Sequence, residues 1–396
     1  MKLSKRVLEL NDSPTLAAAN KAKALKAEGK DVLSLTLGEP DFVTPKSIQQ
    51  AAIASIESGD ASFYTAVSGL LPLKEAIQKR TKLDYGIEYA TSEIIVGTGA
   101  KFLLYAVFQA MLDDGDEVII PTPYWVSYEE QVKLAKGVSV FVMGDKSNQY
   151  KMTVSDLEKV RTERTKALMI NSPSNPTGAV YTKEELTAIG EWAVSHDILI
   201  IADDIYGKLV YNGNVFTSIA TLSDDIKRQT IVINGVSKAY SMTGWRIGYA
   251  MGDSRIISQM TKIASQVTSN PSAVSQYAAI EALTGDQAPV EAMRVAFEER
   301  LNAIYPKLIA IPGMRLDKPN GAFYFYPDIS DTLSLCGYDR VSDFVDDLLE
   351  EALVAVISGE GFGTDHHIRL SYASDLDTLN QAMERMTDFV NKKMTN

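Results

Sequence analysis

Seven short apolar runs punctuate the chain, at 93–96, 118–120, 138–142, 167–170, 198–202, 230–233 and 246–250. Several are apolar at consecutive positions, the pattern of strands buried on both faces. Helix-length stretches separate most of them. One covers 102–112. Another is Lys183–Ser195, opened by the capping box Thr182-Lys-Glu-Glu185, and Ser155-Asp-Leu-Glu158 opens a third in the same way. Strand–helix alternation of this kind predicts an α/β fold with a mostly parallel seven-stranded sheet between helices.

The alternation fills residues 46–289. Beyond it the pattern changes to a long charged helix over 289–311, a turn at Pro312-Gly313 and a shorter α+β arrangement to the end. The expected organisation is a large domain, 46–289, and a smaller α+β domain made of 1–45 and 290–396.

Composition narrows the field. The 396 residues are 45% hydrophobic and 23% charged, as in soluble globular proteins. A net charge of -12 disfavours a nucleic-acid or anionic-membrane surface, although it leaves room for a local basic pocket. No segment reaches the ~18 unbroken apolar residues of a membrane span. The opening MKLSKRVLELND has no apolar stretch of signal-peptide length, so a cytoplasmic protein is expected. Cys336 is the one cysteine, which rules out an intrachain disulfide. With only His196, His366 and His367, no histidine-rich metal site is expected.

Five predicted strand ends carry groups capable of chemistry. "GTGAKFLLYAV", from Gly97, places two glycines between a strand and a helix, where free N–H groups bind phosphate. A dinucleotide fingerprint needs a third glycine where Phe102 stands and an acid after the next strand, which ends Ile120-Pro121-Thr122. A Walker loop fails on spacing, and a plain turn remains the other reading. In "PTPYWVSY", Trp125 either packs in the core or offers a wall to a flat ring. "NSPSNPTGAVY", from Asn171, is either a simple β-turn or a ligand loop in which Asn175 offers an amide. "ILIIADDIYGKLVY" puts Asp203, Asp204 and Tyr206 after a buried run. A carboxylate there is costly unless paired, and a helix N-cap suits either aspartate. "INGVSKAYSMTGWRIGY" supplies Ser237, Lys238 and Arg246; taken alone, such a lysine and arginine are more often surface residues.

One ligand uses all of these groups: pyridoxal 5′-phosphate. Its aldehyde needs a lysine for a Schiff base. Its ring nitrogen needs an acid, because the protonated ring is the electron sink. Its phosphate needs cations and N–H donors. The chain resembles the class I aminotransferases of fold type I, and most closely the bacterial aspartate aminotransferases of the I-beta branch with "SKAxxMTGWRIGY". The likeness covers essentially the whole chain. It rests on "GEPDF", "PYWVSY", "NSPSNPTG", "DDIY", "SKAYSMTGWRIGY", "GAFY" and "IRLSYA", all in the expected order. Two positions depart: the family usually has Glu where Asp204 stands and often Pro where Ser358 stands.

The resemblance implies roles. Lys238 bonds the cofactor aldehyde and, once released, acts as general base. Asp203 pairs with the ring nitrogen, Tyr206 and Asn175 bond its O3′, and Trp125 stacks on the ring. Gly99, Ala100, Ser237 and Arg246 hold the phosphate, with Tyr64 reaching in from the second subunit of a homodimer. Arg369 clamps the substrate α-carboxylate with Asn175 and the backbone of Gly38. Lys101 in the phosphate loop, assisted by Thr15, takes the distal carboxylate of a dicarboxylic substrate. The implied reaction is amino transfer from L-aspartate to 2-oxoglutarate, in two stages through pyridoxamine phosphate. An aromatic or broad-range aminotransferase is the alternative within the family. A non-catalytic cofactor-binding regulator is the alternative outside it. Regulators of that kind carry an added DNA-binding domain, for which this chain has neither spare residues nor the right charge.

Overall fold

The computed structural model describes residues 1–395. A short strand of the N-terminal arm, β1 (Leu33–Ser34), precedes the main sheet. That sheet is built from β2 (Ile94–Gly97), β3 (Glu117–Thr122), β4 (Val138–Met143), β5 (Thr165–Asn171), β6 (Leu199–Asp203), β7 (Thr230–Gly235) and β8 (Gly248–Met251). Four short strands follow: β9 (Tyr324–Phe325), β10 (Val354–Ala355), β11 (Ile357–Ser358) and β12 (Ile368–Ser371).

The seven apolar runs thus become one sheet, in the order β2-β8-β7-β6-β5-β3-β4. β8 pairs antiparallel with both β2 and β7, and every other pairing is parallel. Consecutive apolar residues are needed because each face meets helices. Ile201, Ile231 and Ile233 join the helices Ala100–Met111 and Ser254–Val267 in one core. Ile200, Leu168 and Ile170 join the helix Lys183–Ser195 in another. These isoleucines have 0–2% exposure, and burying each such side chain contributes about 1.5–3 kcal/mol.

Four local expectations are corrected. The run at 138–142 becomes the edge strand β4, and it is not buried on both faces: Val138 and Phe141 stay 43% and 42% exposed. The run at 246–250 yields a strand only from Gly248, because Thr243–Trp245 forms a 3-10 turn and Arg246 follows it with φ 55°. The capping box assigned to Ser155 and Glu158 lies two residues earlier. Thr153 caps the helix Val154–Val160 and Asp156 returns the bond to the Thr153 N–H. Glu158 instead accepts from the Trp192 indole at 2.8 Å. The long charged helix runs Ala288–Leu308, ending before 311.

After the large sheet, β11, β12 and β9 form an antiparallel sheet in that order. β1 pairs parallel with β10, with Leu33 opposite Val354, which ties the N-terminal arm to the C-terminal part. Among the described residues no helix is long and apolar enough to cross a membrane.

Candidate active site

The parallel strands open their carboxyl ends on one edge, where such sheets form ligand crevices. β5 ends at Asn171, β6 at Asp203, and Lys238 follows the end of β7. Trp125 follows β3, and β2 leads through Gly99 into the helix that begins at Ala100. β12 brings Arg369 from the C-terminal sheet. These elements enclose a cleft of about 400 Å³. Thr15, Gly38, Ala100, Lys101, Trp125, Asn175, Asp203, Tyr206, Ser237, Lys238, Arg246 and Arg369 all line it. Gly99 lies directly behind Arg246. Tyr64 is not brought to the cleft by its own chain: it stands on the surface, 92% exposed.

Asp203 is 3% exposed. Its Oδ2 accepts from the Tyr128 hydroxyl at 2.8 Å and its Oδ1 from the Ile205 N–H at 3.3 Å. Both partners are neutral, so burial pushes the carboxyl up to about 6 against the pull of those bonds and of Lys238. No helix starts at either aspartate, so neither is the N-cap that the sequence allowed. Asp204 is outside the cleft lining and accepts from Ser218 at 2.6 Å.

Lys238 donates to the Gly38 carbonyl at 2.5 Å. Burial, then the positive charge of Arg369, lowers its ammonium to about 8, with Arg246 adding to the shift and Glu39 opposing it. About a tenth is therefore free amine at pH 7, far more than for an ordinary lysine, as a nucleophile or general base requires.

Arg369 is 2% exposed. It donates to Asn175 Oδ1 at 3.0 Å and to the Thr36 carbonyl at 2.9 Å, while its buried Nε has no partner among the described residues. Its guanidinium lies 4.5 Å from the centre of the Tyr324 ring. Among the described residues no carboxylate pairs with it. A buried, uncompensated guanidinium is costly, and the planar fork suits an incoming carboxylate.

The Gly97–Lys101 turn is specific to glycine at one place. Gly99 has φ 92°, and a Cβ there would lie 2.4 Å from Arg246 Nη2. Arg246 itself donates to the Thr243 carbonyl at 2.9 Å. Nearby, the Lys101 ammonium sits 4.8 Å from the Trp125 ring centre, and burial lowers its pKa, with Arg246 adding to the shift. Lys101 has no anionic partner among the described residues. Thr15, in the helix Pro14–Ala27, shares a 2.9 Å hydroxyl contact with Ser13.

Three of the lining residues that the sequence reading left unassigned make hydrogen bonds to assigned ones. Tyr128 lies within "PYWVSY", yet only the phase of the helix Ser127–Leu134 turns it onto Asp203. Asn171 binds the Asp203 carbonyl at 2.9 Å and accepts from the Asn175 N–H at 2.8 Å. Its signal was its place at the end of a buried run. Tyr324 bonds Tyr206 at 2.7 Å across 118 residues, which nothing local announces.

The model of the family "Aminotransferase class I and II" matches residues 30–386. An asparagine–oxo-acid transaminase of Streptococcus mutans is 57% identical, over 99% of this chain and 100% of the relative. An aspartate aminotransferase of Bacillus subtilis is 55% identical, over 99% and 100%. The solved structure of the Thermus thermophilus aspartate aminotransferase with maleate superposes with TM-score 0.93 at 39% identity, covering 98% of this chain and 99% of that one. The chain therefore belongs to the class I and II aminotransferases, and it is a transaminase.

Proposed function

We propose that this transaminase uses pyridoxal 5′-phosphate to move the amino group of L-aspartate to 2-oxoglutarate. One observation carries the reading. Asp203 and Arg369 are buried and Lys238 is half-buried, all three line one cleft, and none has an ionic partner among the described residues. Each lacks the complement that one part of the cofactor–substrate pair supplies: a cationic ring nitrogen, an aldehyde and a carboxylate.

The residues fit the cofactor on two further counts. Gly99 leaves a cradle that any side chain would fill, beside the start of the helix Ala100–Met111 and the Arg246 guanidinium. Tyr206 and Asn175 line the same cleft as Asp203, and Trp125 supplies an aromatic wall. When bound, pyridoxal phosphate supplies the electron sink that lets the substrate Cα lose its proton.

The chain's own residues do the rest. Asp203, ionised, keeps the proton on the ring nitrogen. Tyr206 and Asn175 hold the ring O3′. Ser237, Arg246 and the Gly99–Ala100 backbone hold the phosphate. Arg369 fixes the α-carboxylate with Asn175 and the Gly38 backbone. Lys238 Nζ would bond the aldehyde and, as a free amine, would hold and move the substrate Cα proton, which its lowered pKa permits. Lys101 and Thr15 receive the distal carboxylate. The division into 46–289, which carries the cofactor loops, and 1–45 with 290–396, which carries Arg369, is part of the reading. So is a homodimer in which Tyr64 completes the phosphate site of its neighbour.

Asparagine is the second donor to weigh, since one relative is named for it. A desolvated Lys101 without an anion favours a carboxylate over an amide there. A panel of amino acids assayed with 2-oxoglutarate decides the matter. Aspartate should lead in kcat/KM; a lead for asparagine, or for phenylalanine or tyrosine, would move the assignment.

A further inference from the structure

Gly38 has no positive φ and therefore no backbone reason to be glycine. Its constraint is a neighbour: a Cβ on residue 38 would lie 2.6 Å from the Tyr324 hydroxyl, and 3.7 Å from the ring carbon that bears it. The hydroxyl alone makes the clash. Among the described residues that same hydroxyl has a single hydrogen-bond partner, the hydroxyl of Tyr206 at 2.7 Å. The two rings meet edge to face at 5.9 Å and 81°, and the phenols are 1% and 3% exposed.

We propose that Tyr324 is a positioning residue that aims the Tyr206 proton into the cleft, and that Gly38 is glycine to leave room for it. The inference rests on the reading of Tyr206 as a donor to the cofactor. Burial pushes both phenols above their ordinary value, so each keeps its one proton at neutral pH. Within the pair only one proton can lie between the oxygens. Once an acceptor in the cleft takes the Tyr206 proton, the Tyr206 oxygen is left to accept, and Tyr324 is its donor. The donated bond polarises the Tyr206 hydroxyl and strengthens what it gives to the ligand, as in any hydrogen-bonded chain.

Tyr324 also connects two other groups of the site. The Arg369 guanidinium lies over its ring, and Gly38, against its hydroxyl, offers its carbonyl to Lys238. A displaced Tyr324 therefore disturbs Tyr206, Arg369 and the resting place of Lys238 together.

The test is a double-mutant cycle of Gly38→Ala and Tyr324→Phe with two readouts. The first is the melting temperature of the cofactor-free protein. Gly38→Ala should lower it in the wild-type background and have little effect once Tyr324→Phe has removed the oxygen, because the sites are coupled through that atom. Equal losses in both backgrounds would overturn the contact. The second is the pH midpoint of the visible absorbance of protein loaded with pyridoxal phosphate. A bond donated to the ring O3′ favours its deprotonated form, so weakening it raises the midpoint; Tyr324→Phe should shift it up by roughly 0.3 unit. An unchanged midpoint would overturn the orienting role. A wild-type protein that develops no visible band would overturn the cofactor reading, and the orienting role with it, while the melting cycle still decides the contact.

Discussion

The Tyr128 hydroxyl donates to the Asp203 carboxylate at 2.8 Å, from a helix onto a strand end. This bond holds down an acid that burial alone would push higher. On the proposed reading, protonation of the cofactor ring requires Asp203 to be ionised. Tyr128→Phe should therefore move the acidic limb of the kcat/KM profile to higher pH while leaving the plateau reachable. The check is a pH profile of both proteins; an unmoved limb would separate Tyr128 from the chemistry.

Asp203 also makes the cofactor-free protein sensitive to pH. Its carboxyl is raised from 3.8 to about 6 in the folded chain. The unfolded chain then releases this proton first as pH rises, so stability falls across roughly pH 4 to 6 and levels off above. At 1.36 kcal/mol per pKa unit the loss is on the order of 2–3 kcal/mol. Asp203→Asn should therefore melt above the wild type beyond pH 6, by a margin that shrinks toward pH 4. Adding pyridoxal phosphate should reverse the order. Calorimetry at several pH values, with and without cofactor, reads both effects.

Gly99→Ala should weaken cofactor binding at least about tenfold, a cost near 1.4 kcal/mol. The added Cβ falls 2.4 Å from Arg246 Nη2 at φ 92°, so both the guanidinium and the backbone must shift. Absorbance titration with pyridoxal phosphate measures the affinity. Wild-type affinity would remove Gly99 and Arg246 from the phosphate site.

Lys101→Ser tests the distal carboxylate. A charge-assisted contact is worth about 1.5–3 kcal/mol, so kcat/KM for aspartate should fall roughly ten- to a hundred-fold. The value for phenylalanine should change little. Equal losses for both would mean that Lys101 serves the cofactor, beside Arg246, and not the substrate.

The sheet and the charged centre of the site were legible in the sequence for one shared reason. Buried strands read as consecutive apolar residues, and polar groups set directly after them, such as Asp203 and Lys238, stand out against that background. Arg369 was legible only through the resemblance, because nothing within "IRLSYA" announces a cleft. What stayed hidden depends on distant pairing. Tyr128 reaches Asp203 across 75 residues, and Tyr324 reaches Tyr206 across 118. Edge position is equally invisible: 138–142 is as apolar as its neighbours, yet strand order leaves Phe141 outside, stacked on Tyr124 at 4.9 Å. The cap at Thr153 was misplaced because Asp156 serves as well as a glutamate in closing the box.

The central claim is amino transfer through Lys238. Its most direct test follows a heavy-nitrogen label from aspartate, in protein loaded with pyridoxal phosphate and supplied with 2-oxoglutarate. In the cofactor-free protein, with the Lys238 ammonium lowered to about 8, about a quarter is free amine at pH 7.5, against about one part in a thousand for an ordinary lysine. The account expects the label in glutamate with the wild type, and no more than a trace with Lys238→Ala, whose fold should be intact. Label transfer by Lys238→Ala at a rate near that of the wild type would contradict it.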